Sequence, residues 1–277
     1  MFNFFYTFHP SPILFSIGPI NIHWYGFFIA LGFLSALRAA IYLAKPHNIK
    51  KETIIDLSIW LIIFGIIGAR IYDVFLEWRY FSSNFFDIFK IWQGGLAIHG
   101  AIIGGMAAVF MFGKKYKENF WRLTAIIASV LPLGQAIGRW GNYFNQELFG
   151  YPTNLPWGIP ITAANRPLQY INSEYFHPAF LYESLGNLII FIILFSAHAY
   201  FMKKYKNPEF FKFQISAYLL LYSFLRFGIE FIRVDATPEI FGLRFPQLAS
   251  LSIIFLSSSF LIRDIWLKIK KNKTLDN

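Results

Sequence analysis

Seven stretches of predominantly apolar residues decide what this chain can fold into. They run roughly Ile20–Ala44, Thr53–Leu76, Gly94–Gly113, Leu123–Asn142, Pro178–Met202, Phe213–Arg233 and Pro246–Leu267. Each is close to the ~20 residues a helix needs to cross the hydrocarbon of a bilayer with all its backbone groups bonded internally. Charged residues make up only 14% of the chain, against about a quarter in soluble domains. The expected fold is an all-α integral membrane protein of seven transmembrane helices, a single domain over residues 1–277.

The charges between these stretches predict an orientation. Lys45, Lys50, Lys51, Lys114, Lys115, Lys117, Lys203, Lys204, Lys206, Lys212, Lys268, Lys270, Lys271 and Lys273 fall on one side, and only Lys90 on the other. The lysine-rich side is cytoplasmic by the positive-inside rule, which puts the N-terminus outside and the C-terminus inside. The net charge of +10 is thereby accounted for, and no basic motif interleaved with stacking aromatics points to nucleic acid. Residues 1–19 lack Lys and Arg, unlike a secretory signal, and read as an amphipathic lead at the interface, with Pro19 near the start of the first span. Segments 77–93, 143–177 and 234–245 lie outside. The second, rich in Pro, Asn and Gly, is expected to form a small irregular or β head. The chain has no cysteine, which excludes disulfides, thiolate metal sites and a catalytic thiol of its own. No metal or cofactor is expected.

Costly polar groups sit at one end of the spans. Gln135, Arg139, Asn142 and Gln146 recur at helical spacing over the end of the fourth apolar stretch, in GQAIGRWGNYFNQELFG. Such a stripe must face a bundle interior or a wet cavity. Tyr222, Arg226, Glu230 and Arg233 form a second stripe in the sixth stretch, and Arg70, Asp73 and Glu77 a third in the second stretch, which a structural ion-pair ladder explains equally well. His99 lies among Gly94, Gly95, Gly100, Gly104 and Gly105. Close helix packing accounts for the glycines, and His99 is either functional or a hydrogen-bonding strut. His177 and Pro178 mark a helix entry with Tyr182 and Glu183 one turn inside, and Glu183 must be paired or protonated there. His23, Trp24 and Tyr25 read first as an interfacial aromatic belt.

Arginines fork onto phosphate oxygens and stay charged, while Tyr, Asn and Gln supply neutral donors. The stripes of Arg139 and of Arg226 with Arg233 therefore read as a receptor with surplus positive charge for a phosphate group at the external face. A phospholipid head group entering from the bilayer is the obvious ligand. A polytopic lipid or anion transporter or channel is the alternative, but no internal repeat is visible and the polar groups cluster toward one surface. A serine-protease elbow Gly-x-Ser-x-Gly is absent.

The segment GRWGNYFNQELFG resembles the signature of bacterial prolipoprotein diacylglyceryl transferases, close to G-R-x-[GA]-N-[FY]-x-N-x-E-x-x-G, through Gly138, Arg139, Gly141, Asn142, Tyr143, Asn145, Glu147 and Gly150. WQGGLAIHG, HPAFLYES, RFGIEFIR and IHWYG resemble further segments of that family in the same order. One departure is Ala101, where many members have a second glycine after the histidine. The resemblance implies a membrane enzyme of the bacterial cytoplasmic (inner) membrane with its active site toward the periplasmic face. Such enzymes move the diacylglyceryl group of phosphatidylglycerol to the lipobox cysteine of a preprolipoprotein signal peptide, leaving a thioether and glycerol 1-phosphate. It implies catalytic roles for His99, Arg139, Arg226 and Glu230, with Arg139 and Arg226 gripping phosphate and Glu230 and Arg233 orienting Arg226. Substrate contacts are expected from Tyr25, Asn142, Gly150, His177, Glu183, Tyr222 and Arg233. Asn145 and Glu147 either touch substrate or organise the turn into the head. His99 is either the base for the thiol or a group that positions lipid.

Overall fold

The protein is described by a computed structural model covering residues 2–204 and 209–273, with side chains over 5–201 and 209–263. Lys206 lies outside the described residues, as do the side chains of Lys203, Lys204, Lys268, Lys270, Lys271 and Lys273.

In chain order the elements are α1 (Phe2–Thr7), β1 (Ile13–Ile17), β2 (Ile20–His23), α2 (Trp24–Ala44), α3 (Lys51–Leu76), α4 (Trp78–Ser83), α5 (Ile98–Tyr116) and α6 (Phe120–Phe144). They continue with β3 (Ile159–Pro160), β4 (Tyr175–Phe176), α7 (Ala179–Lys204), α8 (Glu209–Glu230), β5 (Glu239–Ile240), β6 (Leu243–Arg244) and α9 (Phe245–Lys273). Five helices are long and apolar enough to cross a membrane: Trp24–His47, Lys51–Leu76, Phe120–Phe144, Ala179–Phe201 and Phe245–Arg263. The chain is a predominantly helical membrane protein. Of the other two stretches, α5 is rich in glycine and ends on Lys114 and Lys115, and α8 carries Glu209, Lys212, Arg226 and Glu230. These residues lower the mean apolarity of both helices.

Two expectations are corrected at the beginnings of helices. Residues 1–19 do not run as one amphipathic lead into a helix at Ile20. They form α1 and a β1–β2 hairpin that turns at Gly18, where φ is 56°, and the first long helix begins at Trp24. β-Branched Ile13, Ile17, Ile20 and Ile22 on both sides of a Gly-Pro turn favour strand over helix. Likewise, α5 starts at Ile98 rather than Gly94, because Gly94 and Gly95 hold φ of 96° and 73°, outside any right-handed helix.

Helix α6 is the hub, flanked by α2, α7 and α8, while α3 pairs with α5 and α8 with α9. Glycines set the closest approaches. A Cβ on Gly100 would lie 2.1 Å from the Gly68 carbonyl oxygen, and one on Gly104 equally close to that of Phe64, so α3 and α5 touch backbone to backbone. Gly32 similarly meets Gly134 between α2 and α6. The Ser184 hydroxyl donates to the Ala136 carbonyl at 2.8 Å and fixes α7 on α6. Residues 145–178 form an irregular unit containing the short antiparallel β3–β4 pair. It is seated on α6 and α7 by Tyr143, Phe149, Ile159, Ile161, Phe176 and Phe180. Burying a side chain such as Phe176 contributes about 1.5–3 kcal/mol, so this apolar plug fixes the unit over the helix ends.

Candidate active site

The site assembles where α6 ends. Arg139 and Asn142 lie one turn apart, and the Arg139 Nη1 donates to Asn142 Oδ1 at 3.1 Å. The other guanidinium nitrogen of Arg139 reaches Glu183 Oε1 at 2.5 Å, across to α7. Glu183 is thus the paired carboxylate that its position demands. Asn142 passes the contact on, donating from Nδ2 to Glu147 Oε1 at 2.7 Å, while Asn145 sits 3.4 Å from the same oxygen. Gln146 departs from the expected stripe. Helix α6 stops at Phe144, and Gln146 takes a left-handed φ of 51°. Its amide donates to the Pro10 carbonyl at 2.8 Å and accepts from the Thr162 backbone N–H at 2.7 Å and hydroxyl at 2.6 Å. It staples the N-terminal segment to the 145–178 unit.

The end of helix α8, with Arg226 and Glu230, and the chain beyond it supply the facing half; Arg233 lies past the helix end at Glu230 and so off the helical stripe expected of it. Arg226 Nη2 lies 2.7 Å from Glu230 Oε2, and Glu230 Oε1 lies 3.1 Å from Nη1 of Arg244. Arg233 Nε pairs with Asp235 Oδ1 at 2.7 Å. Arg244 lies outside the polar stripes that the sequence predicts. It donates to the carbonyls of Glu230 at 3.1 Å, Arg233 at 3.0 Å and Asp235, and to the Thr237 hydroxyl at 2.7 Å, gathering the chain beyond α8. Its one sequence signal is that it is the sole cation in residues 234–245. Tyr222 sits among Arg139, Glu183 and Arg226, its ring stacked on Tyr218.

Four arginines thus meet three directly paired carboxylates, Glu183, Glu230 and Asp235, a smaller excess than unpaired stripes would give. The asymmetry within the pairs matters more. The side chains of Arg139 and Arg226 are 22% and 17% exposed, those of Glu183 and Glu230 3% and 0%. The carboxylates lie behind and the guanidinium groups in front, fixed in direction. Arg226 Nη1 is buried and makes no hydrogen bond among the described residues. An orphaned charged donor in such a place costs free energy unless something accepts from it.

The remaining candidates frame this pair of arginines. Tyr25 packs over Gly141, the residue before Asn142 in α6, where a Cβ would lie 2.7 Å from its ring. Gly150 donates its N–H to the His177 carbonyl at 2.9 Å and forms a bridge with Arg233, joining three segments with no room for a side chain. The ring of His177 lies 3.3 Å from the Tyr182 hydroxyl, which also accepts from Trp157 Nε1 at 2.8 Å. Burial holds the His177 pKa below the usual histidine value.

Two groups stand apart from the cluster. Arg70 pairs with Asp73 at only 3.4 Å and instead donates to the carbonyls of Asp87, Ile88, Gly94 and Gly95 at 2.5 to 2.9 Å. Glu77, at the C-terminal cap of α3, donates its backbone N–H to the Asp73 carbonyl, and among the described residues no ion pair joins its carboxylate to Arg70, so the ladder is reduced to the Arg70–Asp73 pair. His99 is exposed in the first turn of α5, with its ring 5.8 Å from that of Tyr72 and no hydrogen bond to the arginine cluster among the described residues. No group of three His, Asp or Glu side chains among the described residues could hold a metal ion.

Residues 12–263 match the family described as prolipoprotein diacylglyceryl transferase. The chain is 41% identical over 269 residues to a Synechocystis protein named phosphatidylglycerol–prolipoprotein diacylglyceryl transferase, covering 96% of this chain and 93% of the relative. Proteins of the same name from Acaryochloris marina and Nostoc are 45% and 43% identical, covering 87% and 96% of this chain and 86% and 93% of their own lengths. With near full-length agreement at this identity, and with the motif residues of four separate segments gathered at one end of the helices, the chain belongs to the prolipoprotein diacylglyceryl transferase family.

Proposed function

We propose that the arginine cluster is where this transferase moves the diacylglyceryl group of phosphatidylglycerol to a prolipoprotein. The observation that carries the reading is the buried, unpartnered Nη1 of Arg226, on a guanidinium backed by Glu230 and facing the Arg139–Glu183 pair beside Tyr222. A phosphate oxygen is the acceptor such a donor lacks. The acceptor thiol is that of the lipobox cysteine in the signal peptide. Its sulfur attacks the glycerol carbon that bears the phosphate, the carbon–oxygen bond breaks, and glycerol 1-phosphate leaves with the bonding pair. Arg139 and Arg226 stabilise the charge gathering on that leaving oxygen. Glu183 and Glu230 hold the two guanidinium planes, and Arg233 and Arg244 hold the chain around Glu230. Tyr25 and Asn142 donate to the head group.

The thiol must lose a proton. His99, in the first turn of α5, is the group proposed to take that proton, accepting it on a ring nitrogen as the lipobox cysteine approaches. The protein works in the bacterial cytoplasmic membrane. All seven long helices span, with the N-terminus and residues 145–178 outside and the C-terminus inside, which places the cluster at the outer face.

The test is incubation of the purified chain with phosphatidylglycerol labelled in an acyl chain and a lipobox peptide. Label is expected on the peptide cysteine, with glycerol 1-phosphate released in equal amount. Label that stays in lipid, or that moves across the membrane unaltered, would reject transfer in favour of transport.

A further inference from the structure

We propose that the cleft beside the arginine cluster holds the polypeptide acceptor rather than the lipid, in extended conformation. This cleft of about 420 Å³ is lined by the turn after α6 (Asn145, Glu147, Leu148), by Asn165 and Pro167 of the 145–178 unit, and by Asp235 beyond α8. Its size is that of an ordinary ligand site. The inference rests on the transfer reading above and deepens it, since the reaction needs two substrates and the arginines accommodate one.

Three observations carry it. First, the lining bears the carboxylates Glu147 and Asp235 and no lysine or arginine. A phosphate placed there would meet the carboxylate of Glu147, Asp235 being paired with Arg233 and Arg244, whereas an extended polypeptide has no obligatory charge. Second, the cleft offers both donors and acceptors, as an extended backbone requires. The backbone N–H groups of Leu148 and Phe149 donate to no partner among the described residues. The same lining carries the carboxylates of Glu147 and Asp235 and the side-chain amides of Asn145 and Asn165. Third, the cleft is continuous with the cluster. Glu147 accepts from Asn142, and Asp235 pairs with Arg233, so a chain lying in the cleft ends beside the arginines. Leu148 also holds a left-handed φ of 56°, costly for a branched residue, and this conformation shapes the turn that carries the two free amides.

The proposal separates two affinities that the transfer reading alone does not. Asn165 is exposed and its side chain makes no hydrogen bond within the protein among the described residues, so Asn165→Trp fills the cleft without touching the arginines. Binding is measured directly on the full chain in lipid nanodiscs, with a fluorescent lipobox peptide whose cysteine is replaced by serine so that no turnover occurs. Asn165→Trp and Asn165→Ala are expected to weaken peptide binding by about tenfold and threefold respectively, with the KM for phosphatidylglycerol within twofold of wild type. Arg226→Lys is expected to abolish transfer while leaving peptide binding within twofold. Unchanged peptide binding in Asn165→Trp overturns the assignment, as does a rise in the lipid KM in that variant. Full transfer by Arg226→Lys would instead count against the phosphate clamp, while the peptide-binding result still decides the cleft.

Discussion

Arg70 and Arg226 are both largely buried arginines near helix ends, and they do opposite things with their donors. Arg70 directs its guanidinium at four backbone carbonyls in residues 87–95, and so ties the chain between α4 and α5 onto α3. Arg226 has a carboxylate behind it and a buried nitrogen that makes no hydrogen bond among the described residues. The comparison teaches that burial and charge do not by themselves mark a functional arginine; what accepts from it does. An arginine saturated by carbonyls serves the fold, while one oriented by a buried carboxylate suits the anion-binding role proposed for Arg226.

Substitution should split the two along different readouts. Arg226→Lys keeps the charge but loses the fork, and transfer is expected to fall at least 100-fold with thermal stability within a few degrees of wild type, on the scale seen when a transition-state donor is removed. Arg139→Ala should act similarly, although it also strands the buried Glu183. Arg70→Lys should reverse the pattern: about 3 kcal/mol of stability lost, because several carbonyls are left without a donor, and activity per folded molecule largely kept. Equal loss of turnover in Arg70→Lys and Arg226→Lys, measured on folded protein, would erase the distinction.

A second contrast concerns His99, which belongs by position to the Arg70 half of the molecule and by proposed role to the Arg226 half. His99→Gln is expected to lower turnover by about 100-fold or more, as removal of a general base does. Turnover near normal would return His99 to the structural half.

How far the sequence could be read follows the same division. The long apolar helices and the polar stripes were legible because hydropathy and helical periodicity are local properties. The i, i+4 relation of Arg226 and Glu230 put them on one face, and they do pair. Pairings between segments were not legible: nothing local connects Arg139 to Glu183, or Arg244 to Glu230 across the turn beyond α8. Arg70 does pair with Asp73, as a spacing of three suggests, but its shorter bonds go to backbone carbonyls some twenty residues away, which nothing local signals. Gln146 misled because helical spacing was extended past Phe144, where the chain had already turned left-handed. The β1–β2 hairpin was missed because its isoleucines fit an interfacial helix as readily as a strand.

The smallest expected effect tests the entry to α7, between the two halves. His177 bonds with Tyr182, and burial depresses its pKa, so the folded protein prefers the neutral ring. The unfolded chain takes up a proton near the ordinary value of 6.5, before the folded protein does. Lowering the pH through that region therefore favours unfolding, and the stability tied to the neutral ring is full above it and declines below. His177→Gln keeps a hydrogen-bonding group but cannot titrate. Its melting temperature at pH 7.5 should stay near that of wild type, and its further drop on going to pH 5.5 should be smaller by one or two degrees. Acid sensitivity identical to wild type would mean that protonation of His177 is accommodated by rotation toward solvent. The seam through Gly150 would then be held by its backbone bonds to His177 and Arg233 alone.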